Sequence, residues 1–142
     1  MSDRAGLLDS NVVMEALKHG ESSETCRQFL LAVAGGRISV VLDPIVVHEL
    51  TYTIPRFLKG ADRERIVDTL LVILGSRGAL DPSSLLGSAL VAWRDDPALS
   101  FADAYLGTIA LSQDRPVYTL NRKDFERQGI DVPNLRQLIG TS

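Results

Sequence analysis

Residues 7–13 read LLDSNVV. An apolar run stops at a carboxylate, Asp9, and resumes as two valines after a small polar pair. A strand buried in a parallel sheet reads as a short continuous apolar run. Helices open after Asp, Ser or Asn, whose side chains can accept from the first backbone amides. The stretch therefore reads as a strand over 6–9 feeding a helix over 10–20. Val12, Val13, Ala16 and Leu17 share one helix face, and Gly20 is the stop. Asp9 stands at the join. Either it caps the helix or it forms one wall of an acidic site.

The same pattern recurs along the chain. SSETCRQFLLAVAGG (22–36) reads as a helix opened by Ser22 or Ser23 and stopped by Gly35–Gly36. RISVVLD (37–43) is β-branched and apolar, hence a second buried strand, ending at Asp43. Asp43 and Pro44 open the next helix as cap and first residue, and Pro55 is expected to kink or end it. ADRERIVDTLLVILGSRG (61–78) is an amphipathic helix with Ile66, Leu70, Ile73 and Leu74 inward. DPSSLLGSALVAWRDD (81–96) is another, again opened by Asp-Pro. SFADAYLGTIALSQD (100–114) is a helix whose small residues allow close packing. RPVYTLN (115–121) reads as the third strand, RKDFERQ (122–128) as a helical turn and GIDVPNL (129–135) as an edge strand. Strand, helices, strand, helices, strand points to an α/β fold: three layers, a central parallel sheet flanked by helices.

The bulk numbers agree with one globular domain over 1–142. The chain has 142 residues, 45% of them apolar and 23% charged, with a net charge of -3. That charge argues against a protein that coats nucleic acid electrostatically, though not against one that cuts it. Its single cysteine, Cys26, cannot form an internal disulfide, and no Cys/His spacing suits zinc. No apolar run approaches the roughly 20 residues of a membrane span, and the start, MSDRAGLLDS, lacks a signal-peptide apolar stretch. A cytoplasmic protein without a membrane partner is the expectation.

In open parallel sheets, sites form beyond the C-terminal strand ends. Asp9, Asp43 and Asn121 fall there by this reading. Glu49 in VVHEL and Asp103 in SFADAYLG lie on helices among apolar neighbours, where an acid calls for a partner or a cation. Each position has a plain alternative as a cap, a surface group or a turn residue. Their order and spacing together are more specific than any one of them.

LLDSNVV (7–13), VVHEL (46–50), SFADAYLGTIA (100–110) and VYTLNRKDF (117–125), in this order, resemble the PIN-domain family, and within it the VapC-type toxins of bacterial toxin–antitoxin pairs. The resemblance implies a small α/β nuclease cleaving RNA with Mg²⁺ or Mn²⁺ and inhibited by a cognate antitoxin. Asp9, Glu49 and Asp103 match the family's catalytic, metal-binding acids. Asn11 and Thr119 match polar positions that support them. Where the family often has a fourth acid, this chain has Asn121, with Asp124 three residues on. Arg122 and Lys123, directly after Asn121, are the best candidates for RNA contact. The apolar helical segment 44–74 matches the region of an antitoxin groove and a homodimer interface. Asn121 also leaves open a degenerate member that binds RNA or a partner without cutting. A haloacid dehalogenase-like phosphatase would want an Asp where Asn11 stands. A receiver-like domain would want an early acidic pair and a late lysine.

Overall fold

The computed structural model describes residues 4–140, so the first residues read above lie outside it. Three short strands form one parallel sheet in the order β1-β2-β3: β1 is Gly6–Leu7, β2 Val40–Val41 and β3 Ala79–Leu80. Gly6 pairs with Val40 and Val40 with Ala79; Leu7 pairs with Val41 and Val41 with Leu80. Helices α1 (Ser10–Ala16) and α2 (Ser23–Ala34) connect β1 to β2. Helices α3 (Pro44–Phe57) and α4 (Arg63–Leu74) connect β2 to β3. They are followed by α5 (Leu86–Asp95), α6 (Phe101–Gln113), α7 (Arg122–Glu126) and α8 (Leu135–Leu138). The α/β class and parallel sheet expected from sequence are what the structure shows. Among the described residues no helix is long and apolar enough to cross a membrane.

The chain forms two compact units, the first ending at Gly87 and the second beginning at Ser88. In the first, Leu8, Val13, Val33, Val40, Leu50, Ile54 and Val67 are buried. Arg27 of α2 donates to the carbonyls of Ala16 and Lys18 at 3.1 and 2.9 Å, which supplies partners for carbonyls that the end of α1 leaves without helical amides. That end comes earlier than Gly20. Gly35 and Gly36 end α2 as expected, with Gly36 at φ 78°. Pro55 lies inside α3, which closes at Phe57 with Leu58 already non-helical. Pro55 thus sits in the last turn, where it has no N–H to give the carbonyl four residues earlier, and the helix ends two residues on. In the second unit, Ala110, Val117, Phe125, Ile130 and Val132 make an apolar cluster, and Trp93, Leu99 and Phe101 are also buried.

The third strand is not where the sequence reading placed it. It is Ala79–Leu80, a pair too short for any periodicity to register. Gly78 explains its position. A Cβ there would collide with the backbone carbonyls of Ile38 and Val33, and Gly78 N–H donates to Val33 at 2.9 Å. Only glycine lets the chain turn out of α4 this closely against β2. Segments 115–121 and 129–135, expected as strands, are not strands. One backbone bond joins them, from Val117 N–H to the Asp131 carbonyl at 3.0 Å. Pro116 and Pro133 flank the bonded residues and have no N–H to extend a ladder.

Gly78→Ala is expected to destabilise the fold by about 1–3 kcal/mol, the usual cost of overpacking. Urea denaturation of the two proteins measures it. Equal midpoints would mean that the close approach at Gly78 is not required.

Candidate active site

All three strands end one or two residues before an aspartate, and register puts those aspartates at one edge of the sheet. Extending the pairing, Leu8 lies level with Leu42 and Asp81, and Asp9 level with Asp43. A helix follows each strand and presents backbone amides that need acceptors. Asp43 meets the need, its carboxylate accepting from Ile45 N–H at 2.9 Å. Asp81 does the same for the turn into α5, accepting from Ser83 N–H and Leu86 N–H, both at 3.1 Å, and from the Ser83 hydroxyl at 2.5 Å.

Asp9 does not. Its backbone (φ -86°, ψ 147°) nearly duplicates that of Asp43 (φ -84°, ψ 141°), yet its side chain makes no capping bond. Its one hydrogen bond is a long 3.4 Å contact from the Ser10 hydroxyl. Asp9 is exposed, between the buried Leu8 and Ser10. Of the two alternatives for this residue, the capping role is therefore not taken up.

Asn11 is exposed in the first turn of α1. Glu49 lies on α3 and is exposed, away from the buried Val47, Leu50, Thr51 and Ile54. Its apolar sequence neighbours belong to the other face, so burial does not set it apart. Asp103 is half-buried in the first turn of α6. Ser100 caps that helix by accepting from Asp103 N–H at 3.1 Å, so the Asp103 carboxylate is not the cap. A negative charge in a first helical turn is favoured by the helix dipole.

The second unit gathers Thr119, Asn121 and Asp124 into one network. Thr119 Oγ1 accepts from Asn121 N–H at 2.9 Å. Asn121 Nδ2 donates to Asp124 Oδ2 at 2.5 Å, and Arg127 donates to Asp124 Oδ1 at 2.6 Å. The same guanidinium reaches Asp96 through Nε at 3.0 Å. The Asn121 amide and then the Arg127 guanidinium hold the Asp124 carboxyl below its ordinary pKa, and Arg127 does the same for Asp96. The sequence reading missed Arg127 and Asp96. Only the three-residue spacing of Asp124 and Arg127 hinted at the first. Arg122 pairs with Glu126 at 3.1 Å, and Lys123 is exposed.

Asp9, Asn11 and Glu49 belong to the first unit, and Asp103, Thr119 and residues 121–124 to the second. Among the described residues, no group of three His, Cys, Asp or Glu side chains is close enough together to hold one metal ion. A family model described as PIN domain matches residues 6–130, a span that includes parts of both units. No curated protein matches the chain.

Two outcomes follow. Asp43→Ala should cost about 1 kcal/mol, as lost caps do, whereas Asp9→Ala should stay within about 0.5 kcal/mol of the parent; denaturant titration separates them, and equal losses would show Asp9 to be a cap. Secondly, lowered folded-state pKa values make Asp96 and Asp124 stabilising above the unfolded carboxylate pKa of about 4, an effect lost as pH falls through the folded values. Arg127→Gln should flatten that acid limb in melts between about pH 6 and 2, and an unchanged limb would contradict the pairing.

Proposed function

We propose that this chain, which belongs to the PIN-domain family, is a Mg²⁺- or Mn²⁺-dependent endoribonuclease acting through Asp9, Glu49 and Asp103. PIN domains are generally nucleases, and those nucleases generally use divalent metals. The observation that supports the reading most is the uncommitted carboxylate of Asp9, set beside two strand-end aspartates whose carboxylates are bonded to amides. The donor set suits the metal: hard divalent cations take oxygen ligands, and three acids bring charge while leaving positions for water. Asp9 and Asp103 are the proposed direct ligands. The cation supplies charge neutralisation at the phosphate and a more acidic water.

The chain's own groups divide the remaining work. Glu49 either joins the ligands or accepts a hydrogen bond from the attacking water at its carboxylate. That water's oxygen bonds to phosphorus as the bond to the leaving ribose oxygen breaks; the water gives up a proton to solvent, and the leaving oxygen takes one from solvent. Thr119 anchors the Asn121 backbone, and Asn11 is the proposed supporting group beside Asp9. Lys123, with Arg122 beside it, contacts phosphates of the RNA.

The biological reading is the toxin of a VapBC-type pair: a cytoplasmic, single-domain homodimer silenced by a cognate antitoxin. An apolar groove of about 530 Å³ in the first unit supports this, lined by Val13, Leu17, Leu30, Leu31, Val72 and Ile73. Leu31 and Val72 on its wall are 59% and 74% exposed, apolar area that a partner helix would cover. One observation favours a non-cutting relative instead. The fourth acidic position is an amide, and the nearby Asp124 is already paired with Arg127.

Purified protein should cut single-stranded RNA with added Mn²⁺ and stop on chelation. Asp9→Asn and Asp103→Asn should each lower the rate by about 100-fold or more, the scale of lost charge stabilisation, while their melts stay near the parent's. Chelator-resistant cleavage, or full activity in both variants, would overturn the assignment. RNA binding without cleavage would favour the non-cutting relative.

A further inference from the structure

We propose that the solvent face of α3 carries the RNA away from Glu49: Tyr52 stacks on an unpaired base, and Arg56 takes a phosphate beyond it. The ligand is then a single strand. The proposal rests on the ribonuclease reading above for the identity of the ligand and for the role of Glu49.

Ile45, Glu49, Tyr52 and Arg56 follow one another at intervals of four, three and four residues, so they form one stripe along the helix. All four are exposed. The buried Val47, Leu50, Thr51 and Ile54 take the opposite face. At 1.5 Å of rise per residue, Tyr52 lies about 4.5 Å and Arg56 about 10 Å along the axis from Glu49. A strand laid on this stripe with its reacting phosphate at Glu49 meets an aromatic ring next and a cation after that.

Tyr52 is 54% exposed. Its ring meets that of His48 at a right angle, with centroids 5.0 Å apart. A T-shaped contact steadies the ring and covers at most one of its faces. The other face is a stacking surface, and every base has a π-face to offer it. Arg56 forms no ion pair among the described residues, whereas Arg122 is committed to Glu126. An uncommitted guanidinium matches the geometry of a phosphate. Bases within a duplex are already stacked on one another, so the ring selects unpaired ones. A second copy of the chain fits the stripe less well. Interface cores are depleted of glutamate, and Glu49 stands between Ile45 and Tyr52.

The test reads binding by the full chain, with chelator present so that no turnover occurs. Fluorescence anisotropy with a labelled single-stranded oligoribonucleotide should show Tyr52→Ala weakening binding about tenfold or more, the scale of one lost base stack. Tyr52→Phe keeps the ring and should bind as the parent does. Tyr52→Leu keeps apolar bulk without the ring and should bind as Tyr52→Ala does. Arg56→Gln should reduce the slope of log K against log salt by about 0.7, the share of one phosphate on a single strand. Tyr52→Ala should leave that slope unchanged. Moving one abasic nucleotide along the strand should find a position at which the parent and Tyr52→Ala bind alike. A parent that binds no single strand overturns the proposal, as does affinity indifferent to Tyr52→Ala or equal in Tyr52→Leu and Tyr52→Phe. Dissociation of a dimer by Tyr52→Ala in sedimentation, with RNA affinity unchanged, also overturns it and gives the stripe to a second copy. Tyr52-dependent binding without Mn²⁺-dependent cleavage counts against the ribonuclease reading alone. Mn²⁺-dependent cleavage with a KM that ignores Tyr52→Ala counts against this proposal alone.

Discussion

Each strand of the sheet gives way to a helix, and the first turn of that helix brings backbone N–H groups that must find acceptors. This requirement organises the edge of the sheet where the strands end. An aspartate at the join answers it with one side-chain bond, and Asp43 and Asp81 do so. Asp9 has nearly the same backbone conformation as Asp43, and its carboxylate accepts from no backbone amide of the helix. A carboxylate held at a fixed place without a structural task is a group available for chemistry.

The second unit handles its polar groups in the opposite way. Asp96, Arg127, Asp124 and Asn121 are joined end to end, and both oxygens of Asp124 are engaged. Asp124 is thereby a structural carboxylate, although its place in the sequence made it a candidate for the fourth acid. Asn121 gains a defined orientation from the same bonds.

The helices were legible because their signals are local. Asp-Pro before α3 and Gly35–Gly36 after α2 each act within one turn, and the structure honours them. The first two strands were legible as apolar runs closed by an aspartate. The third was not, because it is two residues long and its place is set by contacts of Gly78 with carbonyls about forty residues earlier in the chain. Segment 115–121 has the composition of a strand but contains Pro116 and makes one ladder-like bond. Among the candidate site residues, spacing singled out Asp9, Glu49 and Asp103. It could not tell that Asp9 is uncapped, that Glu49 is exposed or that Asp124 is paired, since each depends on where a side chain finds a partner. The tie of Arg127 to Asp96 was invisible for the same reason, since the two are distant in sequence.

The central claim is that Asp9 is kept available to hold a cation. Thermal melts of the parent and of Asp9→Asn across a Mn²⁺ titration address it most directly. Saturating Mn²⁺ should raise the parent's Tm by on the order of 5–10 °C, the linkage expected for binding to the folded state alone, and leave Asp9→Asn nearly unmoved. A parent indifferent to Mn²⁺, or an Asp9→Asn protein stabilised as much as the parent, would contradict the account.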